Sequence, residues 1–384
     1  MTWSDGRIEW TQSRMPLLAE VATEFVGTKP FDGLTIGVSL HLEPKTAVLL
    51  DVLLKGGARI VATGNLGTTQ SATVAALNEQ GIEAIGSSDD DLETHLGHVA
   101  TIVAKKPDLL LDNGADLVAA SLGLGHTPRG GTEETTSGAF RLRDEFVDRV
   151  SFPVIVINDS PLKAIVENKH GVGQSILESF VRITNLMIQG KRIVVAGYGW
   201  CGRGIAHYAR ALGGEVMVVE IDEIKALEAA VDGFRVGPLD QAAPWGTVFI
   251  TATGAEGVVD AQLAMAMPDG AVLANAGHFD TEIDVPALRK MSVAVDEPTE
   301  GIERLTMSSG STLTLLTGGR MFNLGGPSPK GNSIEAMDLG FTLQALSLER
   351  LVVDPGSLQA GAQPVPDDIN RRAAGAMVRT MMGS

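Results

Sequence analysis

Apolar residues along this chain fall into two alternating rhythms. Short segments rich in apolar residues at 34–40, 59–63, 82–85, 109–111 and 153–157 predict strands. Between them lie stretches with apolar residues three and four apart, which predict helices. Residues 15–25 carry Leu17, Leu18, Val21 and Phe25 on one face, and 46–54 and 91–103 repeat the pattern. The rhythm resumes near residue 190. Runs at 193–196, 216–219, 247–251 and 271–274 read as strands, 205–212 as a helix, and 304–316 as a β-hairpin turning at Ser308-Ser309-Gly310. Two longer helices join these halves: 174–189, apolar at Ile176, Phe180, Ile183 and Met187, and 333–351, apolar at Ile334, Met337, Phe341 and Leu348. Strand alternating with helix predicts the α/β class, with parallel sheets covered by helices on both faces. The expected plan is one domain inserted in another. Residues 1–157 open the first domain, 158–190 form a hinge and connecting helix, 191–330 form the inserted domain, and 331–384 return to the first and end in a tail. Residues 129–138 read as a polar loop, and 354–368 as a proline- and glycine-rich tail with a short helix to follow.

The inserted domain opens with the most informative stretch. The run 193–196 enters Gly197-Tyr198-Gly199-Trp200-Cys201-Gly202, a helix follows, and the next apolar run ends at Glu220. Strand, glycine turn, helix, strand and acid form the dinucleotide-binding pattern. Gly197 permits the tight turn, Gly199 lets the backbone approach a pyrophosphate, and Gly202 lets helix and strand pack closely. The helix N-terminus offers N–H groups to the phosphates, and Glu220 would meet a ribose 2′-hydroxyl. A carboxylate there repels a 2′-phosphate, so the expected cofactor is NAD. Both domains are therefore expected to be Rossmann-like. In such sheets ligands sit beyond the C-terminal strand ends, and His41 and Asn113 occupy such ends.

Bulk properties narrow the function further. Apolar residues make up 44% of the 384, enough for two cores, and the net charge of −17 argues against nucleic-acid and anionic-membrane partners. Cys201 is the single cysteine, so an intrachain disulfide is impossible and a reducing compartment fits. No apolar run is long enough to span a bilayer, and MTWSDGRIEW does not read as a signal peptide. A cytoplasmic protein is expected. His95, His98, His126 and His207 show no ligand spacing with a cysteine or acid, so no metal is expected.

Several motifs in order, SLHLEPKTAVL, GGTEETTSGAF, NDSPLKAIVENKHGVGQS, GYGWCGRG, ANAGHFDTEID and AMDLGFTLQALSLERL, resemble the S-adenosylhomocysteine hydrolases, in their shorter, archaeal-type branch. The resemblance covers roughly residues 5–350. It implies an NAD that is held tightly and recycled within each turnover. The ribose 3′-hydroxyl is oxidised, and the 3′-ketone acidifies the C4′ hydrogen. The 5′ substituent leaves, water adds to the 4′,5′ alkene, and the ketone is reduced again. It also implies a small-molecule nucleoside substrate and a homo-oligomer, a tetramer or a dimer. Residue by residue, Lys163 resembles the lysine beside the 3′-hydroxyl and Glu134 the carboxylate that grips the ribose hydroxyls. His41 resembles the histidine that donates to the 5′ leaving group, and His278 the histidine near the 3′ oxygen. Thr135, Thr136, Ser137, Asn168, Asn275 and Asn323 resemble cofactor contacts, and Glu43, Asn332 and Met337 are expected on the substrate side.

The chain also departs from that pattern. Asn113 stands where the family has an aspartate working with the counterpart of His41, and an asparagine cannot serve as a general base. Glu167 replaces an aspartate beside the lysine, Asn332 a histidine on the purine side, Val172 a cysteine or threonine near the nicotinamide, and His170 a usually aromatic residue. The tail lacks the Lys and Tyr that in the family reach a neighbouring subunit's NAD. The changes gather at the 5′ end and around the nucleoside. The expectation is therefore a nucleoside dehydratase that eliminates a 5′ group, such as water, without rehydration. It would yield a 4′,5′-unsaturated nucleoside of the antibiotic type. The alternative is a working S-adenosyl- or S-inosyl-homocysteine hydrolase. A second alternative is a non-catalytic NAD-binding regulatory paralogue.

Overall fold

The computed structural model describes residues 3–278 and 280–383. The motif residue Phe279 lies outside them. The chain forms two compact units: the first runs through Ala164 and resumes at Ile334, and the second is Ile165–Ser333.

The first unit lays down β1 (Thr35–Leu40), β2 (Arg59–Gly64), β3 (Glu83–Ile85), β4 (Leu109–Asp112), β5 (Gly130–Glu133) and β6 (Pro153–Val156). The second adds β7 (Arg192–Ala196), β8 (Glu215–Val219), β9 (Arg235–Val236), β10 (Val248–Thr251), β11 (Ala271–Asn275), β12 (Ala294–Thr299), β13 (Ile302–Thr306) and β14 (Thr312–Leu316). The chain then returns and contributes β15 (Gly361–Pro364) to the first sheet. That sheet has the order β15-β6-β5-β4-β1-β2-β3, parallel throughout. Its strands β1, β2, β4 and β6 are mostly apolar and buried, as expected where helices cover both faces.

The second sheet has the order β12-β13-β14-β11-β10-β7-β8-β9. Its centre is parallel, but β12 and β13 run antiparallel at one edge. The hairpin is present as expected, with β13 and β14 paired. Strand β12 was not anticipated: its six residues are all exposed, so no burial pattern marks it.

Two polar segments differ from their sequence reading. The loop at 129–138 begins as strand β5, wholly buried between β4 and β6. GGTE carries no apolar signal, and pairing on both sides overrides propensity. A Cβ on Gly130 would meet Leu351 at 2.6 Å, so the helix covering this strand needs a residue without one. The tail is also more ordered than its composition suggests. It supplies β15 and a 16-residue helix, Asp367–Met382, which buries Ile369, Ala373 and Ala376 at helical spacing.

Each sheet reverses its strand order beside its first strand. In the first the chain steps outward from β1 to β2 on one side and to β4 on the other; in the second the same happens between β7 and β10. Such reversals open a crevice at the C-terminal strand ends. The helix Ile334–Val353 covers the first sheet and is buried on almost every side. Its Asp338 accepts the N–H groups of Leu17 and Leu18, both at 2.9 Å, in the first turn of Pro16–Thr28.

Candidate active site

At the reversal of the first sheet, β1 delivers His41 and β4 delivers Asn113, each one residue beyond its strand. His41 Nδ1 lies 2.7 Å from Thr68 Oγ1, and Thr46 Oγ1 donates to the His41 carbonyl at 2.6 Å. Asn113 is buried, and its Oδ1 accepts from Asn65 Nδ2 at 2.8 Å. Asn65 and Thr68 belong to the turn after β2. The sequence reading passed over them, although a polar Asn-x-x-Thr directly after a strand run was a usable signal.

One strand further, β5 ends in Glu133 and the chain continues with Glu134. The two acids have different tasks. Glu133 is buried, and its carboxylate accepts from the backbone of Gly114 (3.0 Å), Ala115 (2.9 Å) and Thr135 (2.7 Å). It thereby fixes the turn after Asn113. Asp112, its cross-strand neighbour, accepts from the backbone of Asn113 and Val118. Burial pushes both carboxyls up, Asp112 furthest because the Glu133 charge adds to it. Glu134 instead meets Lys163 Nζ at 3.2 Å, in a pair with side chains 8% and 5% exposed. Its other oxygen accepts from Gln344 Nε2 at 3.3 Å, a partner the sequence did not suggest. A second buried pair joins Lys45 Nζ to Glu43 at 2.8 Å. Met337 is buried in the covering helix.

Thr135 caps the helix Thr136–Arg143 by accepting from Gly138 N at 2.9 Å; Ser137 Oγ lies 3.0 Å from its hydroxyl, and Thr136 Oγ1 donates to Asn158 at 3.0 Å. His41, Glu43, Asn113, Glu134, Thr135, Thr136, Ser137, Lys163 and Met337 all belong to the first unit. Lys163 begins a π-helical segment, Lys163–Gly171, that also carries Glu167 and Asn168 into the second unit. Glu167 is buried there.

In the second unit each glycine of the turn after β7 has its own geometry. Gly197 has φ 97°, and a Cβ on it would lie 2.6 Å from the Ala252 carbonyl oxygen. A Cβ on Gly202 would lie 2.0 Å from the Gly197 carbonyl oxygen, while Gly199 has open space beside it. The Glu220 carboxylate accepts from Tyr198 N at 2.7 Å, Ile221 N at 2.8 Å and Asp222 N at 3.0 Å, and so clasps the turn. Asn275, at the end of β11, is fully buried. Its amide bonds Thr251, Gly277 and Gly319, and so helps to organise the loop that carries His278. Ser175 Oγ links two asparagines: it accepts from Asn323 Nδ2 at 3.0 Å and donates to Asn332 Oδ1 at 2.9 Å. Glu282, also missed by sequence reading, accepts from the backbone of Thr253 and Gly254 beyond β10.

Residues 168–328 match the model of the S-adenosyl-L-homocysteine hydrolase NAD binding domain, and residues 1–127 the model of S-adenosyl-L-homocysteine hydrolase. The chain is 41% identical to the S-inosyl-L-homocysteine hydrolase of Methanopyrus kandleri, over 97% of this chain and 89% of that one. It is 39% identical to the adenosylhomocysteinase of Archaeoglobus fulgidus (98% and 93%), and 41% identical to that of Thermococcus kodakarensis (96% and 89%). The chain belongs to the S-adenosyl-L-homocysteine hydrolase family.

As a member of that family, in its archaeal-type branch, it uses NAD. The residues present fit the cofactor. The turn after β7 leaves open space beside Gly199, where a pyrophosphate would approach, and Glu220, at the end of the next strand, would face the adenosine ribose. Asn323 is buried with its Oδ1 unpaired among the described residues, an acceptor suited to a carboxamide N–H. Among the described residues no group of His, Cys, Asp and Glu could hold a metal ion, and no helix is long and apolar enough to cross a membrane.

Proposed function

We propose that this adenosylhomocysteinase-family enzyme cleaves S-adenosyl- or S-inosyl-L-homocysteine to the free nucleoside and homocysteine. The observation that carries this reading is the buried Lys163–Glu134 pair at the strand ends of the first unit, in a chain so similar to hydrolases over nearly its whole length.

NAD, when bound, supplies the temporary oxidation of the ribose at C3′. This chain's own residues do the rest. Glu134 offers a carboxylate to the vicinal ribose hydroxyls, and Gln344 holds its far oxygen so that the near one faces Lys163. Lys163 takes the 3′-hydroxyl proton and later returns it. With a carbonyl at C3′, the C4′ proton is acidic enough to pass to water in exchange with solvent, and the electron pair left on C4′ expels the 5′ sulfur; a proton returns to C4′ by the same route once water has added at C5′. His41 gives that sulfur a proton, then takes one from the water that adds at C5′. The carbon framework ends unchanged, so the balance is one water consumed and one thiol released.

The dehydration expected from Asn113 is the weaker reading. The relatives are named for hydrolysis. Purified protein loaded with NAD and given each thioether should release homocysteine, measured by thiol titration. Release of none, together with loss of one water from a purine nucleoside by mass, would favour the dehydratase instead.

A further inference from the structure

The turn after β2 determines how His41 and Asn113 handle protons. It lies on the opposite side of β1 from Asn113 yet reaches both residues. The Asn65 backbone N–H donates to the Leu40 carbonyl at 3.2 Å, which ties the turn to the end of β1. A Cβ at residue 64 would sit 1.7 Å from Thr69 Oγ1, so the turn closes only behind a glycine.

Thr68 has one hydroxyl hydrogen and two lone pairs. Its Oγ1 donates to the Asn65 carbonyl oxygen at 3.1 Å, a group that can only accept. With that hydrogen spent, Oγ1 must accept from His41, so the hydrogen across the 2.7 Å contact sits on Nδ1. A neutral imidazole carries one N–H, which leaves the lone pair on Nε2. This arrangement also survives protonation. Nδ1–H donates to the same oxygen in imidazole and in imidazolium, so no hydroxyl has to turn as the proton comes and goes. The opposite arrangement would require Thr68 to rotate in each cycle.

The Asn65 side chain acts on the other partner. Its Nδ2 donates to Asn113 Oδ1, which occupies the acceptor end of that amide and sets its orientation. With Oδ1 turned to Asn65, the Asn113 amide presents its N–H end as the donor.

We propose that Asn65 and Thr68 are positioning residues for the 5′ chemistry. They lock His41 as the Nδ1–H tautomer, so that Nε2 alone carries the proton to and from the 5′ position, and they present Asn113 as a fixed hydrogen-bond donor. This rests on the placing of His41 and Asn113 at the 5′ end.

The tautomer can be read without turnover. Nitrogen-15 NMR of histidine-labelled protein separates the two tautomers among the seven histidines, with His41 assigned by its loss in His41→Gln. The expected wild-type signature is Nδ1–H; an Nε2–H signature overturns the proposal. In Thr68→Val the lock is gone, and homocysteine release should fall about 10–100-fold, with a displaced pH profile. Reduction of bound NAD by the nucleoside should change by no more than about threefold in that variant. Thr68→Ser keeps the hydroxyl and should restore both release and profile. A wild-type pH profile in Thr68→Val would also overturn the proposal. If neither thioether is cleaved by the wild type while the Nδ1–H signature is present, the proposed function fails and the tautomer assignment stands.

Discussion

His41 and Asn113 end neighbouring strands, and they differ in what they can do with a proton. An imidazole can carry one, whereas an amide only donates hydrogen bonds from its nitrogen or accepts at its oxygen. Asn113→Asp keeps an acceptor for Asn65 Nδ2 and adds a titrating group. The pH profile of homocysteine release should therefore gain a limb that the parent lacks; superimposable profiles would remove Asn113 from the 5′ end. The two halves of the chemistry also separate by residue. Lys163→Gln keeps a hydrogen-bond donor toward Glu134 but removes the charge that compensates that buried carboxylate, which costs about 3–5 kcal/mol of stability. It should abolish reduction of bound NAD by a nucleoside, seen as absorbance of the reduced nicotinamide. His41→Ala should still allow that reduction while homocysteine release collapses. If His41→Ala also blocks reduction, the division of roles is wrong.

Single elements carry predictions of their own. The helix Trp200–Ala211 can start where it does because Gly202 has no side chain, with the Gly197 carbonyl oxygen 2.0 Å from where a Cβ would stand. Gly202→Ala must shift backbone against backbone, which costs on the order of 1–3 kcal/mol. NAD affinity by titration calorimetry should drop at least tenfold, and an unchanged affinity would contradict the close packing. The helix Ile334–Val353 makes a pH prediction. Burial lifts Asp338 to about 6, from 3.8, against the pull of the Leu17 and Leu18 N–H groups. The native state then holds this proton where the unfolded chain has lost it, so the contribution is greatest in acid and disappears as pH rises through about 6. Asp338→Asn should remove about 1 kcal/mol of the stability difference between about pH 5 and about pH 7.5, as read from urea unfolding at each pH. A difference equal to that of the wild type would place Asp338 in solvent.

Element by element, sequence legibility followed burial. Strands with apolar runs, such as β1, β4, β7 and β11, were readable because both faces are covered. β5 was not, since Gly-Gly-Thr-Glu owes its strand to neighbours on both sides, and β12 was not, since all of it faces solvent. In the site, Gly197, Gly199, Gly202 and Glu220 were legible because a turn of fixed spacing needs those residue types. Lys163, Glu134 and His41 were legible by resemblance to a family. Asn65, Thr68, Gln344 and Ser175 were invisible because their importance lies in contacts 3 to 210 positions away in the chain. Asn275 is expected from the resemblance as a cofactor contact, and the structure adds that its amide joins Thr251, Gly277 and Gly319.

At the scale of the whole molecule, one chain builds two parallel-centred sheets, and each reverses its strand order beside a cluster of polar side chains. The sheet of the second unit carries the glycine turn of a family that uses NAD, and the sheet of the first carries two carboxyl–amine pairs and an imidazole. The account's central claim is that the nucleoside is oxidised for a moment at C3′, which makes the C4′ hydrogen acidic. Solvent deuterium tests this directly. Purified protein with NAD is incubated in heavy water with S-adenosyl- or S-inosyl-L-homocysteine, and the nucleoside recovered is analysed by mass spectrometry and proton NMR. The account predicts homocysteine in solution and deuterium at C4′ of the nucleoside. Homocysteine released with the C4′ hydrogen wholly retained would contradict it.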